Sequence, residues 1–120
     1  MTDDVVRRVF QVVDSFDPEG FVRLLAEDAT LVFGNAEPMT GRETIAAGLR
    51  AFFATIGGLR HRIVRNWQVG DDVIAETEVT YRRLDGGEAS VVAVSIWRAR
   101  EDGLITDYRI FVDLAPVYTV

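Results

Sequence analysis

The sequence predicts an α+β domain in which a mostly antiparallel sheet wraps around three N-terminal helices. Amphipathic stripes of helical period fill the first half of the chain, and four alternating runs separated by glycine turns fill the second. Helices therefore precede consecutive strands instead of interleaving with them, which is the α+β order. At 120 residues, residues 1–120 are read as one domain with one core.

Residues 3–16 set Val5, Val6, Val9, Phe10, Val13 and Phe16 at helical spacing with charged residues between them. Asp17-Pro18-Glu19 reads as a helix start, with a capping carboxylate and a proline in the first turn. The short helix it opens runs through Phe21, Leu24 and Leu25. Ala29 to Phe33 reads as a strand stopped by Gly34-Asn35. Thr40 and Glu43 have capping-box spacing. The helix they open lines up Ile45, Leu49, Phe52, Phe53 and Ile56 and ends at Gly57-Gly58. Strands over residues 59–69, 73–83, 89–99 and 104–114 form a meander. Its turns are Gly70-Asp71-Asp72, Asp85-Gly86-Gly87 and Asp102-Gly103.

Composition excludes several functions. A net charge of −6 and a pI near 4.7 repel phosphate backbones, so no nucleic-acid partner is expected. The cluster Arg60, Arg62 and Arg65 lacks interleaved aromatics and reads as a solvated face. No apolar run approaches the roughly 20 residues of a membrane span. The acidic start and the absence of cysteine favour the cytoplasm. With one histidine and no cysteine, no metal site is expected. Nor is a cofactor, since no phosphate-binding loop or nucleophile elbow is present.

Alternation gives the facing of the strands. Val73, Ala75, Thr77, Val79 and Tyr81 point inward, and Glu76, Glu78, Thr80 and Arg82 outward. Leu59, His61, Ile63, Trp67 and Val69 share the apolar side of their strand. His61 is the only side chain that titrates near neutrality without a large shift, so it reads as either a core histidine or a general base. Residues 89–99 are apolar on both faces, which suits either a central strand covered by helices on one side and a second copy of the chain on the other, or a strand simply buried within one subunit. In the closing strand, Tyr108, Ile110 and Val112 share one side, with Asp107, Arg109 and Asp113 opposite. A two-residue turn at Glu101-Asp102 would pair Ser95 with Tyr108 facing inward; one more residue would put Val94 there.

Several segments carry a family resemblance. Ala26-Glu27-Asp28-Ala29-Thr30 precedes the first strand and Pro38-Met39-Thr40-Gly41-Arg42 the third helix. Asp102-Gly103-Leu104-Ile105, Tyr108-Arg109 and Asp113-Leu114 lie at the end. In this order the chain resembles the nuclear transport factor two-like superfamily, in particular its SnoaL-like, limonene epoxide hydrolase and ketosteroid isomerase members. The resemblance implies a cone-like, curved, mixed sheet, a pocket at its open mouth and a homodimer. Laid on the epoxide hydrolase pattern, the water-activating aspartate falls on Ile110. The arginine and second aspartate fall on Thr77 and Val79, and the tyrosine and asparagine on Leu31 and Phe33. On the ketosteroid isomerase pattern the base falls on Phe33, the tyrosine on Val9 and the donor aspartate on Ser95. Both chemistries are thereby disfavoured.

The expected site is then an apolar pocket built from Leu31, Phe33, Thr77, Val79, Tyr81, Ser95, Tyr108, Ile110 and Val112. His61 and Asp113 are its acid–base candidates, Asp113 only where a bulge re-aims it from the opposite face; without one, Asp113 reads as structural. The expected activity is that of an isomerase, cyclase or hydrolase on a small hydrophobic molecule, polyketide- or steroid-like. A non-catalytic binder of such a ligand and a dimeric scaffold are the alternatives.

Overall fold

The computed structural model describes residues 2–119. Its elements run α1 (Thr2–Asp14), α2 (Pro18–Val22), β1 (Leu25–Phe33), β2 (Met39–Thr40), α3 (Arg42–Phe53), β3 (Gly58–Val69), β4 (Asp72–Arg82), β5 (Glu88–Ala99), β6 (Ile105–Val112) and α4 (Ala115–Tyr118). Six strands form one sheet in the order β2-β1-β6-β5-β4-β3. Every pairing is antiparallel except β1 with β6. The α+β class and the four-strand meander are as the sequence predicts. β1 begins earlier than expected, and the two-residue β2 and the terminal α4 are additions.

Helices cover one face of the sheet because their stripes and the inward strand residues bury the same apolar surface. Val6, Val9 and Phe10 of α1, Phe21 of α2 and Ile45 and Leu49 of α3 pack with Leu31, Ala75, Val79, Trp97 and Tyr108. Asp17 caps α2 as expected, its carboxylate accepting from the Glu19 N–H at 3.1 Å. The capping box at α3 does not form. Thr40 lies in β2, with its hydroxyl 3.2 Å from that of Thr30, and Gly41 (φ +94°) takes the N-cap position instead. The helix also closes earlier than expected, at Phe53, with Ala54 as its C-cap.

Two register features depart from the expected pairing, and the first re-aims side chains. β3 and β4 pair Ile63 with Thr77 but Arg65 with Glu76, so Val64 is an extra residue. A one-residue bulge inverts the facing of everything beyond it. Trp67 and Val69, expected inside, therefore lie on the outer face, exposed. Between β5 and β6 a shift at Arg98/Ala99 pairs Ser95 with Ile110 and Trp97 with Tyr108. The expected Ser95–Tyr108 pairing is thus off by two residues. An even shift preserves facing, and Ser95 remains inside, buried.

Candidate functional site

The inner face of the sheet and the three helices enclose an apolar cavity toward the ends of β1, β4 and β6. Leu31 and Phe33 of β1, Val79 and Tyr81 of β4, Ser95 of β5, and Tyr108 and Ile110 of β6 line it. Alternation and resemblance place these seven residues in the pocket, and the fold brings them together. Two others do not belong. Thr77 is fully buried with its hydroxyl donating to the Ala93 carbonyl at 3.3 Å, and Val112 packs beside the core away from the lining. The helical wall, Val13, Phe21, Leu49, Phe52 and Phe53, was not foreseen as lining, because a core stripe and a cavity wall have the same sequence pattern.

The cavity has a volume of about 40 Å³, which sets what enters without moving a side chain. At roughly 10–15 Å³ per water, it holds a few water-sized groups.

His61 faces this cavity from β3. Its side chain is 10 % exposed and its ring stacks on Phe10 at 4.6 Å. Asp14, the last residue of α1, takes up both of its polar handles on that side. The His61 backbone N–H donates to Asp14 Oδ2 at 2.8 Å, and Nδ1 lies 2.6 Å from Oδ1. A carboxylate against Nδ1 favours the tautomer with its proton there, leaving Nε2 with a lone pair. Among the described residues Nε2 has no hydrogen-bond partner, and it is not sealed from solvent-sized contact.

Asp14 belongs to none of the motifs above, yet it carries a signal. The last turn of α1 has no basic residue and ends in this carboxylate, at the negative end of the helix dipole, where acids are disfavoured by about 0.3–1 kcal/mol. Two hydrogen bonds from His61 offset that cost. Asp113, the other acid–base candidate, is exposed and outside the cavity. Its carboxylate accepts from the Ala115 N–H at 3.0 Å and so opens α4.

Tyr81 and Tyr108 supply hydroxyls. Burial pushes both well above the ordinary tyrosine value, helped at Tyr81 by Tyr118 and Asp14 and opposed at Tyr108 by a hydrogen bond with Ser95. Both therefore stay protonated and act as donors. The folded chain keeps two protons that the unfolded chain releases above about pH 10. This contribution to stability is complete below that pH and falls as the pH rises past it. Urea midpoints measured from pH 8 to 11 should fall at the alkaline end, and less steeply in Tyr81→Phe; equal slopes would show that Tyr81 titrates alike in both states.

Among the described residues no group of three His, Asp or Glu side chains could hold a metal ion, and no helix is long and apolar enough to cross a membrane.

The sequence model of the SnoaL-like domain matches residues 6–108. The chain belongs to that family. Its fold is shared with a protein of ketosteroid isomerase-like fold from Catenulispora acidiphila DSM 44928, solved in complex with trimethylamine. That structure is 24% identical with a TM-score of 0.87, over 98% of this chain and 91% of the other. TerC, co-crystallised with polyporic acid, is 19% identical with a TM-score of 0.83, over 98% and 95%. A nuclear transport factor two-like protein from Burkholderia pseudomallei K96243 is 16% identical with a TM-score of 0.85, over 98% of each chain. At these identities the likeness is one of fold. No curated protein matches the sequence. In this SnoaL-like domain Leu31, Phe33, Val79 and Ile110, which fall at polar positions of the patterns laid on the sequence, all line the cavity. The histidine stands on a different wall, β3.

Proposed function

We propose that this SnoaL-like domain is an acid–base enzyme that moves a proton next to a carbonyl group of a small, largely apolar molecule, the first step of an isomerisation or ring closure. One observation carries the reading: a histidine held by a carboxylate faces an otherwise apolar cavity that also holds protonated tyrosines. His61 Nε2 takes a proton from the carbon beside the carbonyl. The C–H electron pair becomes the C=C bond of the enolate, and the carbonyl π pair moves to oxygen. A hydroxyl of Tyr81, Tyr108 or Ser95 donates to that oxygen in surroundings of low dielectric, where such a bond is strongest. His61 then returns the proton to the other end of the enolate, or to solvent. Asp14 balances the imidazolium charge between the two steps.

The test is exchange of the α-hydrogens of phenylacetone for deuterium in D₂O, followed by proton NMR. The protein should accelerate exchange well beyond the same concentration of free imidazole. Binding without acceleration would leave a non-catalytic ligand binder.

The same reading includes a homodimer through the outer face of the sheet. Val92 is 63% exposed, Phe111 52% and Trp67 47%, and register sets Trp67, Ile74 and Ile96 side by side, with Val94 next to Phe111. The pairs Arg62–Glu78, Arg65–Glu76 and Arg98–Asp72 flank this stripe. A face with both signs around an apolar centre suits a two-fold copy of itself. Sedimentation should give a dimer for the wild type and a monomer for Val92→Lys combined with Phe111→Lys. A wild-type monomer at tens of micromolar (roughly the range in which a specific apolar interface holds) would contradict it.

A further inference from the structure

One ring spans the walls of the cavity. Phe52 projects from α3 and is only partly buried. Its ring centroid lies 4.9 Å from that of Phe33 on β1 and 6.1 Å from that of Tyr81 on β4. Two strands, β6 and β5, separate β1 from β4 in the sheet, so Phe52 bridges opposite walls of the curved surface. It lines, with Phe33 and Tyr81, the small free space described above.

On the proton-transfer reading, we infer that Phe52 sets substrate size, and that the substrate is a one-ring aryl ketone or a carbonyl compound of similar bulk, not a fused polycycle. A ligand ring enters by taking the place of the Phe52 ring between Phe33 and Tyr81, a ring-for-ring exchange that preserves the aromatic contacts. The small remaining space takes the carbonyl and its short substituent, beside His61, Ser95 and Tyr108. A second fused ring has nowhere to go, because Leu31, Val79, Ile110 and the stacked Trp97–Tyr108 pair are parts of a close-packed core.

Phenylacetone and 2-naphthylacetone differ by one fused ring and keep the same carbonyl arm. Titration followed by saturation-transfer NMR should show wild-type protein binding phenylacetone and not 2-naphthylacetone. Phe52→Ala leaves the ring space permanently open, removing the cost of the displaced state. With that state populated at about a tenth or less, phenylacetone should bind at least about tenfold tighter, and 2-naphthylacetone should now bind. Phe52→Leu, which keeps the apolar face of α3, should lie between them, and circular dichroism checks that both variants fold. Equal wild-type affinity for the two ketones, no binding of phenylacetone, or unchanged affinities in both variants would overturn the size assignment. Ring-size discrimination without deuterium exchange would support it while removing the proton-transfer reading.

Discussion

His61→Gln should lower the deuterium exchange of phenylacetone by about 10²- to 10⁴-fold, the usual contribution of a positioned general base. Glutamine has no group that takes up a proton at neutral pH, yet its amide can still donate to Asp14. The backbone N–H of residue 61 keeps its bond to Asp14 Oδ2. The fold should therefore survive, with a melting temperature within a few degrees (about one lost hydrogen bond), and binding of the ketone should persist. Undiminished exchange in this variant would remove His61 from the chemistry. Asp14→Asn acts differently. The amide must meet the His61 backbone N–H with its oxygen, which turns its NH₂ toward Nδ1. That arrangement selects the tautomer protonated at Nε2, which cannot accept a proton from substrate. A large loss in exchange with retained binding is expected.

Trp97→Ala should cost about 3–5 kcal/mol of stability, the range for removing a large aromatic from a core. Trp97 is 1 % exposed, stacks on Tyr108 with ring centroids 5.3 Å apart, and meets Phe10 edge-on at 5.9 Å. Those two neighbours connect it to the site, since Tyr108 lines the cavity and Phe10 carries the ring of His61. The variant should thus lose stability and ketone binding together. Trp67→Ala is the matching control. The outer-face tryptophan should leave the stability of the single chain within about 0.5 kcal/mol and weaken the dimer instead. Chemical denaturation of both variants decides the matter: similar losses would mean that Trp67 belongs to the core.

Much of this was legible in the sequence. The alternation of β4 placed Val79 and Tyr81 inside and Glu76 and Glu78 outside, because a strand with one buried face has to repeat every two residues. The same rule placed Tyr108 and Ile110. Three features escaped for physical reasons. The bulge at Val64 adds one residue without any glycine or proline to mark it, so Trp67 and Val69 were assigned to the wrong face. The Ser95 register depended on how the hairpin closes, not on the composition of its strands. Asp14 lies 47 residues from His61, and such a partnership is made by α1 crossing β3. What the chain does show locally is an acid at an unfavourable helix end, and a residue that breaks a local preference marks a place to search for function.

One proton decides whether His61 can act as the base, and ¹⁵N NMR of its ring locates it. In its neutral form the wild-type ring should carry the proton on Nδ1, against Asp14, with Nε2 bare. In Asp14→Asn the proton should move to Nε2. A wild-type ring protonated at Nε2, or one whose tautomer ignores the substitution at residue 14, would rule out His61 as a base oriented by Asp14.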